Sequence, residues 1–342
     1  MSTADEGGLA GLDRLLRNTF EWYTVSKKEF KDAIRSKGLW LLGLIFTTAF
    51  IAPVAIALYT GFGQQGQAIQ QQGMQFLLSS IYLNMVTFLL PIVAIFLGFA
   101  AISKERTSGS LKLLLSLPHS RKDVIIGKVL GRCAVLGVPL VASLAITAVF
   151  LTASELTFKP ELFALFSLFT VVFALVFVAI VVSISGAFKK SLWSAAANFI
   201  VYFYFTFLWN AGANGVGNIL SNELGVTGAI RWHVVLLLKL VNPNQAYKTL
   251  VRSLLGSGEA PALSARYGMF SQGQEASRTI CADVLNGAPQ AQEGVFGTII
   301  TCAPGSGSLP FYYSDPAVVV FMLAWIGIAA SVSYYTFNLA DL

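Results

Sequence analysis

The chain alternates between long apolar runs and short polar punctuation. Six runs reach the roughly 20 apolar residues that an α-helix needs to cross a hydrocarbon core about 30 Å thick. They are Leu39–Tyr59, Leu77–Ile102, Cys133–Thr152, Leu162–Gly186, Trp193–Ala211 and Ala317–Asn338, and none contains Asp, Glu, Lys or Arg. A seventh run, Val234–Val241, is too short to span and is broken by Lys239, so it reads as a re-entrant or interfacial piece. Ahead of the first span, residues 9–37 interleave Leu12, Leu15, Leu16, Phe20, Trp22, Tyr23, Phe30 and Ile34 with seven cations. That pattern suits a helix lying in the headgroup layer; a solvated helical lead-in is the plainer alternative. The pattern predicts an all-α polytopic membrane protein. Its parts are an N-terminal interfacial (elbow) helix within 1–37, spans one to five within 38–211 with a loop at 103–131, an outer segment at 212–316, and span six with the C-terminus at 317–342.

Composition sharpens this. Hydrophobic residues make up 55% of the 342 and charged residues 12%, about half the charge of an ordinary soluble domain. A soluble enzyme and a disordered chain are both excluded. Sixteen of the 23 cations precede span one or lie between spans two and three or four and five, which makes that side cytoplasmic by the positive-inside rule. A multi-pass protein of the cell (cytoplasmic) membrane, with both termini cytoplasmic, is expected. The net charge of +6 is mostly this bias, and no nucleic-acid partner is needed to explain it. The opening Met1-Ser-Thr-Ala-Asp-Glu6 is polar and acidic, with no short apolar core and cleavage site after it, so no signal peptide is expected.

The outer segment divides in two. Residues 217–256 are partly apolar with helical patterning, separated by turn chemistry at Asn242-Pro-Asn-Gln-Ala-Tyr247. Residues 257–315 are rich in Gly, Ser, Pro and Gln and read as an irregular external cap. The first outer loop, Gly61–Gln75, carries seven Gln and reads as a solvated link. Of three cysteines, Cys133 opens span three as a small packing residue. Cys281 and Cys302 both fall on the oxidising side and are the disulfide candidates, a closure worth about 3 kcal/mol for a loop of that length.

Catalytic chemistry is sparse. Gly127-Lys128 lacks the upstream Gly of a phosphate-binding loop, so ATP is not expected on this chain. His119 and His233 fall on opposite sides of the membrane. Cys281, Cys302 and His233 match no common metal spacing, and no metal is expected. The spans offer Thr47, Thr48, Asn84, Asn198 and Asn210 as polar groups; mid-membrane Asn suits interhelical hydrogen bonds or a substrate path. Pro53, Pro91 and Pro139 fall within spans, where neighbouring helices accommodate them.

The informative segment follows span two: Glu105-Arg-Thr-Ser-Gly-Ser-Leu-Lys-Leu-Leu-Leu-Ser-Leu-Pro-His-Ser120. A charged pair leaves the membrane, Gly109 permits a tight turn or a close backbone approach, and Ser110–Leu117 predicts a short helix with Leu111, Leu114 and Leu115 on one face, ended by Pro118. Ser120 and Asp123 form a capping signature for the next helix. Such a helix either rests on the membrane or meets a partner.

This pattern, Glu-Arg-x-x-Gly-Ser/Thr-Leu-x-x-Leu-Leu-x-x-Pro-x-Ser, resembles the loop between spans two and three of ABC-2 type transporter permeases, most of all their NosY-like branch. Lys28-Glu-Phe-Lys-Asp-Ala-Ile-Arg-Ser-Lys37 is similar to the helix that family carries ahead of span one, and Leu240-Val-Asn-Pro-x-x-Ala-Tyr247 to a segment between spans five and six. The resemblance implies a permease dimer, each copy docking a separate ATP-binding cassette subunit that holds ATP and magnesium. By carry-over Glu105, Arg106, Gly109, Leu111, Leu114 and Pro118 are the coupling positions, and the chain is not itself an enzyme. It implies an exporter working by alternating access, or alternatively a membrane component of an extracytoplasmic copper or sulfur site maturation system. The outer segment of about 100 residues is longer than the family's, which suggests a lid or a docking surface for an extracytoplasmic partner within 212–316.

Overall fold

Apolar runs with no internal charge form the helices that the hydropathy pattern calls for. The computed structural model describes residues 11, 13–17, 19–59, 77–109, 120–154, 158–255, 274–294, 297–305 and 309–338. Among these residues six helices are long and apolar enough to cross a membrane, and the chain is an all-α polytopic membrane protein. Span one is Lys37–Tyr59. Span two begins as a π-helical turn, Leu77–Tyr82, and continues as Leu83–Gly98. Spans three, four and six are Arg121–Thr152, Pro160–Ala187 and Asp315–Asn338. Span four is the most buried and packs against spans two, three and six. Phe173 and Phe177 sit in its core beside Tyr247 and Phe205.

Details go beyond the apolar count. The helix of span three starts at Arg121, where the Ser120–Asp123 capping signature places it and ahead of the apolar run at Cys133, so residues 121–131 of the 103–131 loop are helical. The capping box explains the start: Ser120 accepts from the Asp123 N–H while the Asp123 carboxylate accepts from the Ser120 N–H. Span five runs on past Ala211 as one helical rod, Ser191–Asn222, with a π-helical segment at Tyr204–Leu208. Its polar outer part packs on the helix Gly228–Val241: Gly217 leaves no room for a side chain beside Val235, and Arg231 donates to Asn218 at 2.8 Å. Lastly, the outer cap is not wholly irregular. Strands β1 (Gly287–Gly294) and β2 (Gly297–Pro304) pair antiparallel, Gly287 opposite Pro304.

Between spans five and six lies a helical hairpin, Gly228–Val241 and Pro243–Leu255. Its turn, Asn242-Pro243, is buried against the π-helical segment of span five, where the widened helix frees carbonyls for new partners. Asn242 donates to the Phe205 carbonyl at 2.7 Å, and Asn244 to Thr206 at 3.2 Å. Trp209 donates to the Leu238 carbonyl and Trp325 to that of Val241. Trp325 is ten residues into span six, about 15 Å from its start, so the hairpin reaches close to mid-span. Non-helical backbone is tolerated at such depth only when protein satisfies it: the two indoles take the Leu238 and Val241 carbonyls of the hairpin, the Asn242 side-chain oxygen accepts from the Asn244 N–H, and the Asn242 amide takes the Phe205 carbonyl of the π-helical segment.

The cap is fastened by a disulfide between Cys281 and Cys302, both buried, with Cα atoms 5.6 Å apart. A side chain on Gly287 would sit 2.6 Å from the Cys302 sulfur, so glycine is required where β1 passes it. Nearby, His233 Nδ1 lies 2.6 Å from the Tyr312 hydroxyl.

Candidate functional site

At the basic face the end of span two is knotted to four other elements. The helix Leu83–Gly98 gives way to a turn at 99–102 and a further short helix, Ser103–Ser108. The break leaves backbone groups to be satisfied, and spans four and five satisfy them. Ser185 accepts from the N–H groups of Ile102 and Ser103, at 3.1 and 3.2 Å. Ser194 donates to the Phe99 carbonyl at 2.6 Å. Arg106 donates to the Gly186 carbonyl at 2.9 Å, and Thr107 to that of Lys189 at 2.8 Å. The end of span four and the start of span five therefore hold the residues after span two, 99–107, directly.

Gly109 ends the short helix in the left-handed region, φ +74°, with open space where a Cβ would stand. The left-handed backbone is what the turn reading of this glycine requires, and among the described residues nothing stands within 4 Å of a Cβ there. Leu111, Leu114 and Pro118 lie outside the described residues.

The second fastening is ionic. Lys128, in the first turns of span three, is 1% exposed and donates to Glu105 at 2.6 Å and to Glu29 at 3.0 Å. Those carboxylates are 27% and 15% exposed. Glu29 also takes Arg132 at 2.8 Å. Two acids and two cations thus neutralise one another where the interfacial helix (Glu21–Ile34), span two and span three meet. Glycine allows the approach: a Cβ at Gly127 would stand 2.7 Å from the Trp22 carbonyl, and one at Gly131 2.7 Å from the Glu29 Cβ. Gly127-x-x-x-Gly131 is the small-residue spacing that lets two helix backbones close up. Lys128 and Arg132, four apart, present their charges on one face.

Among the sequence candidates, Glu105, Arg106 and Gly109 come together here. Glu29, Lys128 and Arg132 are not among those candidates: the two cations enter the sequence reading only through the charge bias and a failed phosphate-loop match, and Glu29 only as part of the helix ahead of span one. The signal that could find them was the superposition of the glycine spacing on an i, i+4 cation pair, opposite an acid in the preceding helix. Among the described residues no group of three metal-ligating side chains occurs. Both sulfurs of the Cys281, Cys302, His233 set are joined to each other. Of the span asparagines, Asn84 accepts from Lys248 of the hairpin at 3.3 Å, an interhelical bond, whereas Asn198 donates to Ser194 of its own helix.

Comparison with known proteins bears on what such a knot serves. Residues 23–342 match the ABC-2 family transporter protein family. The chain is 27% identical over 244 residues to the probable ABC transporter permease protein NosY of Stutzerimonas stutzeri, covering 70% of this chain and 84% of the relative. It is 26% identical over 233 residues to the protein of the same name from Pseudomonas aeruginosa, covering 67% and 80%.

Proposed function

Since the chain belongs to the ABC-2 transporter family, we propose that it is the transmembrane permease subunit of an ATP-driven transporter and that the knot around Glu105 is where it receives force. The basic face is cytoplasmic, and both termini lie there. An ATP-binding cassette subunit, which holds the nucleotide and magnesium, docks on the segment between Gly109 and Ser120 through Leu111, Leu114 and Pro118. Two permeases and two such subunits form the working unit, which alternates access as an exporter.

The observation that carries this reading is that the root of the segment is fixed to the interfacial helix, span three and the span four–five turn at once. A push on the segment is then transmitted to rigid elements rather than absorbed in a loop. The test is copurification with the ATP-binding subunit. Leu114→Asp is expected to abolish it while membrane insertion persists; retention of the subunit by that variant would remove the docking claim.

A second reading is favoured by the long cap with its disulfide and hairpin and by relatives named NosY. In it the same motion is delivered to an extracytoplasmic maturation assembly for a copper or sulfur site instead of moving bulk cargo. Copurification of a secreted metal or sulfur protein that depends on residues 274–305 would favour it.

A further inference from the structure

Span one and span two meet near the far face and part toward the basic face. Tyr82, at the start of span two, donates to the carbonyl of Phe50 in the middle of span one, with the rings 5.5 Å apart. Below that, span one leans on span three, with Gly43 facing Pro139. A cleft of about 860 Å³ opens between spans one and two, floored by span three and closed at one side by the interfacial helix.

Its two ends differ in chemistry. The deep end is lined by Leu42, Ile45, Leu89, Ile92 and Phe96. The mouth carries Lys28, Asp32 and Lys104, beside Glu29, Glu105 and Arg132. Glu29 and Glu105 are already neutralised by Lys128 and Arg132. Lys28 and Lys104 are exposed and make no ion pair among the described residues. With Asp32 they leave the mouth net positive.

The length also matters. From Leu89 to Leu97 the cleft follows eight residues of span two, about 12 Å at helical rise, and it continues past the turn at 99–102 to Lys104. It thus runs from a charged end to an apolar one within a single leaflet, half of a bilayer about 40–45 Å thick with its headgroups. A small soluble metabolite would use only one end of such a site. A ligand with a phosphate at the mouth and acyl chains along the leucine wall fills both.

We propose that this cleft is a binding site for an anionic glycerophospholipid of the leaflet at the basic face. Its phosphate sits between Lys28 and Lys104, and its chains lie between spans one and two. Because the interfacial helix forms one wall, a seated lipid also props that helix against span three. The proposal does not depend on the transport reading.

The test uses the full-length chain purified in mild detergent, exchanged free of native lipid, and titrated by native mass spectrometry with dioleoyl phosphatidylglycerol and, separately, dioleoylglycerol, which has the same chains and no phosphate. One phosphatidylglycerol is expected to persist on each chain. Lys28→Ala with Lys104→Ala should weaken it about tenfold or more, whereas the exposed pair Lys189→Ala with Lys190→Ala should not. Leu89→Trp, which fills the deep end, should weaken both probes. Equal retention of the two probes, or equal effects of the two lysine pairs, would overturn the proposal.

Discussion

Lys128 holds two carboxylates at hydrogen-bond distance in a place almost closed to water. Removing the cation leaves Glu105 without an ion-pair partner among the described residues and Glu29 with Arg132 alone; deleting one partner of a buried pair costs about 3–5 kcal/mol, and the 27% exposure of Glu105 puts this case at or below the lower end. Lys128→Ala should therefore lower the thermal midpoint sharply in detergent. Adding Glu105→Gln should recover much of the loss, because the uncompensated charge goes with it while Glu29 keeps Arg132; no recovery would mean the lysine acts through packing alone. Gly109 is a different case. Its φ of +74° with open space around a notional Cβ makes the requirement purely conformational. Gly109→Val should then cost about 1–2 kcal/mol, and Gly109→Asn distinctly less, since Asn tolerates the left-handed region. Similar losses for the two would point to a steric cause instead. Gly109 as a turn and Ser120 with Asp123 as a cap were legible from sequence, since each acts through its immediate neighbours. Lys128 was not: its meaning lies in a partner 99 residues away in Glu29.

Among the elements, the interfacial helix depends on contacts that leave no room. Gly127→Leu would drive a side chain into the Trp22 carbonyl and the Val25 side chain, and overpacking of this kind costs about 1–3 kcal/mol. Hydrogen exchange should show residues 21–34 losing protection while span four keeps its own; unaltered exchange would show the helix held by lipid alone. At its start, hydrogen bonds from Lys27 and Tyr23 hold the Asp13 carboxyl below its usual range. That contact is full above the ordinary Asp range and fades as pH falls through the lowered value. The spans were readable because exclusion of charge from hydrocarbon is a strong one-dimensional rule. The β1–β2 hairpin was not, because Gly287-Ala-Pro-Gln-Ala-Gln-Glu-Gly294 has no apolar alternation. Its order rests on the pairing with β2 and the bond from Cys281 to Cys302. Nonreducing peptide mapping should find these two cysteines linked, and free thiols at both would contradict the structure of the cap.

Across the whole molecule, charge and depth divide the labour. The membrane interior holds packed aromatics and a hairpin turn satisfied by Asn242, Trp209 and Trp325. Ionic and carbonyl fastenings gather instead at the basic face, around the ends of spans two to five. The scarcity of charge that marked a membrane protein in the sequence leaves the ion pairs among the described residues gathered on this face. On the route proposed above, a push near Gly109 reaches the spans through these fastenings, and Arg106 lies on that route. Among the described residues, Arg106→Ala removes one side-chain bond, that to the Gly186 carbonyl. Permease-stimulated ATP hydrolysis by the copurified ATP-binding subunit should fall at least about fivefold, with membrane insertion and subunit binding intact. Full stimulation in a variant that still binds the subunit would contradict the account.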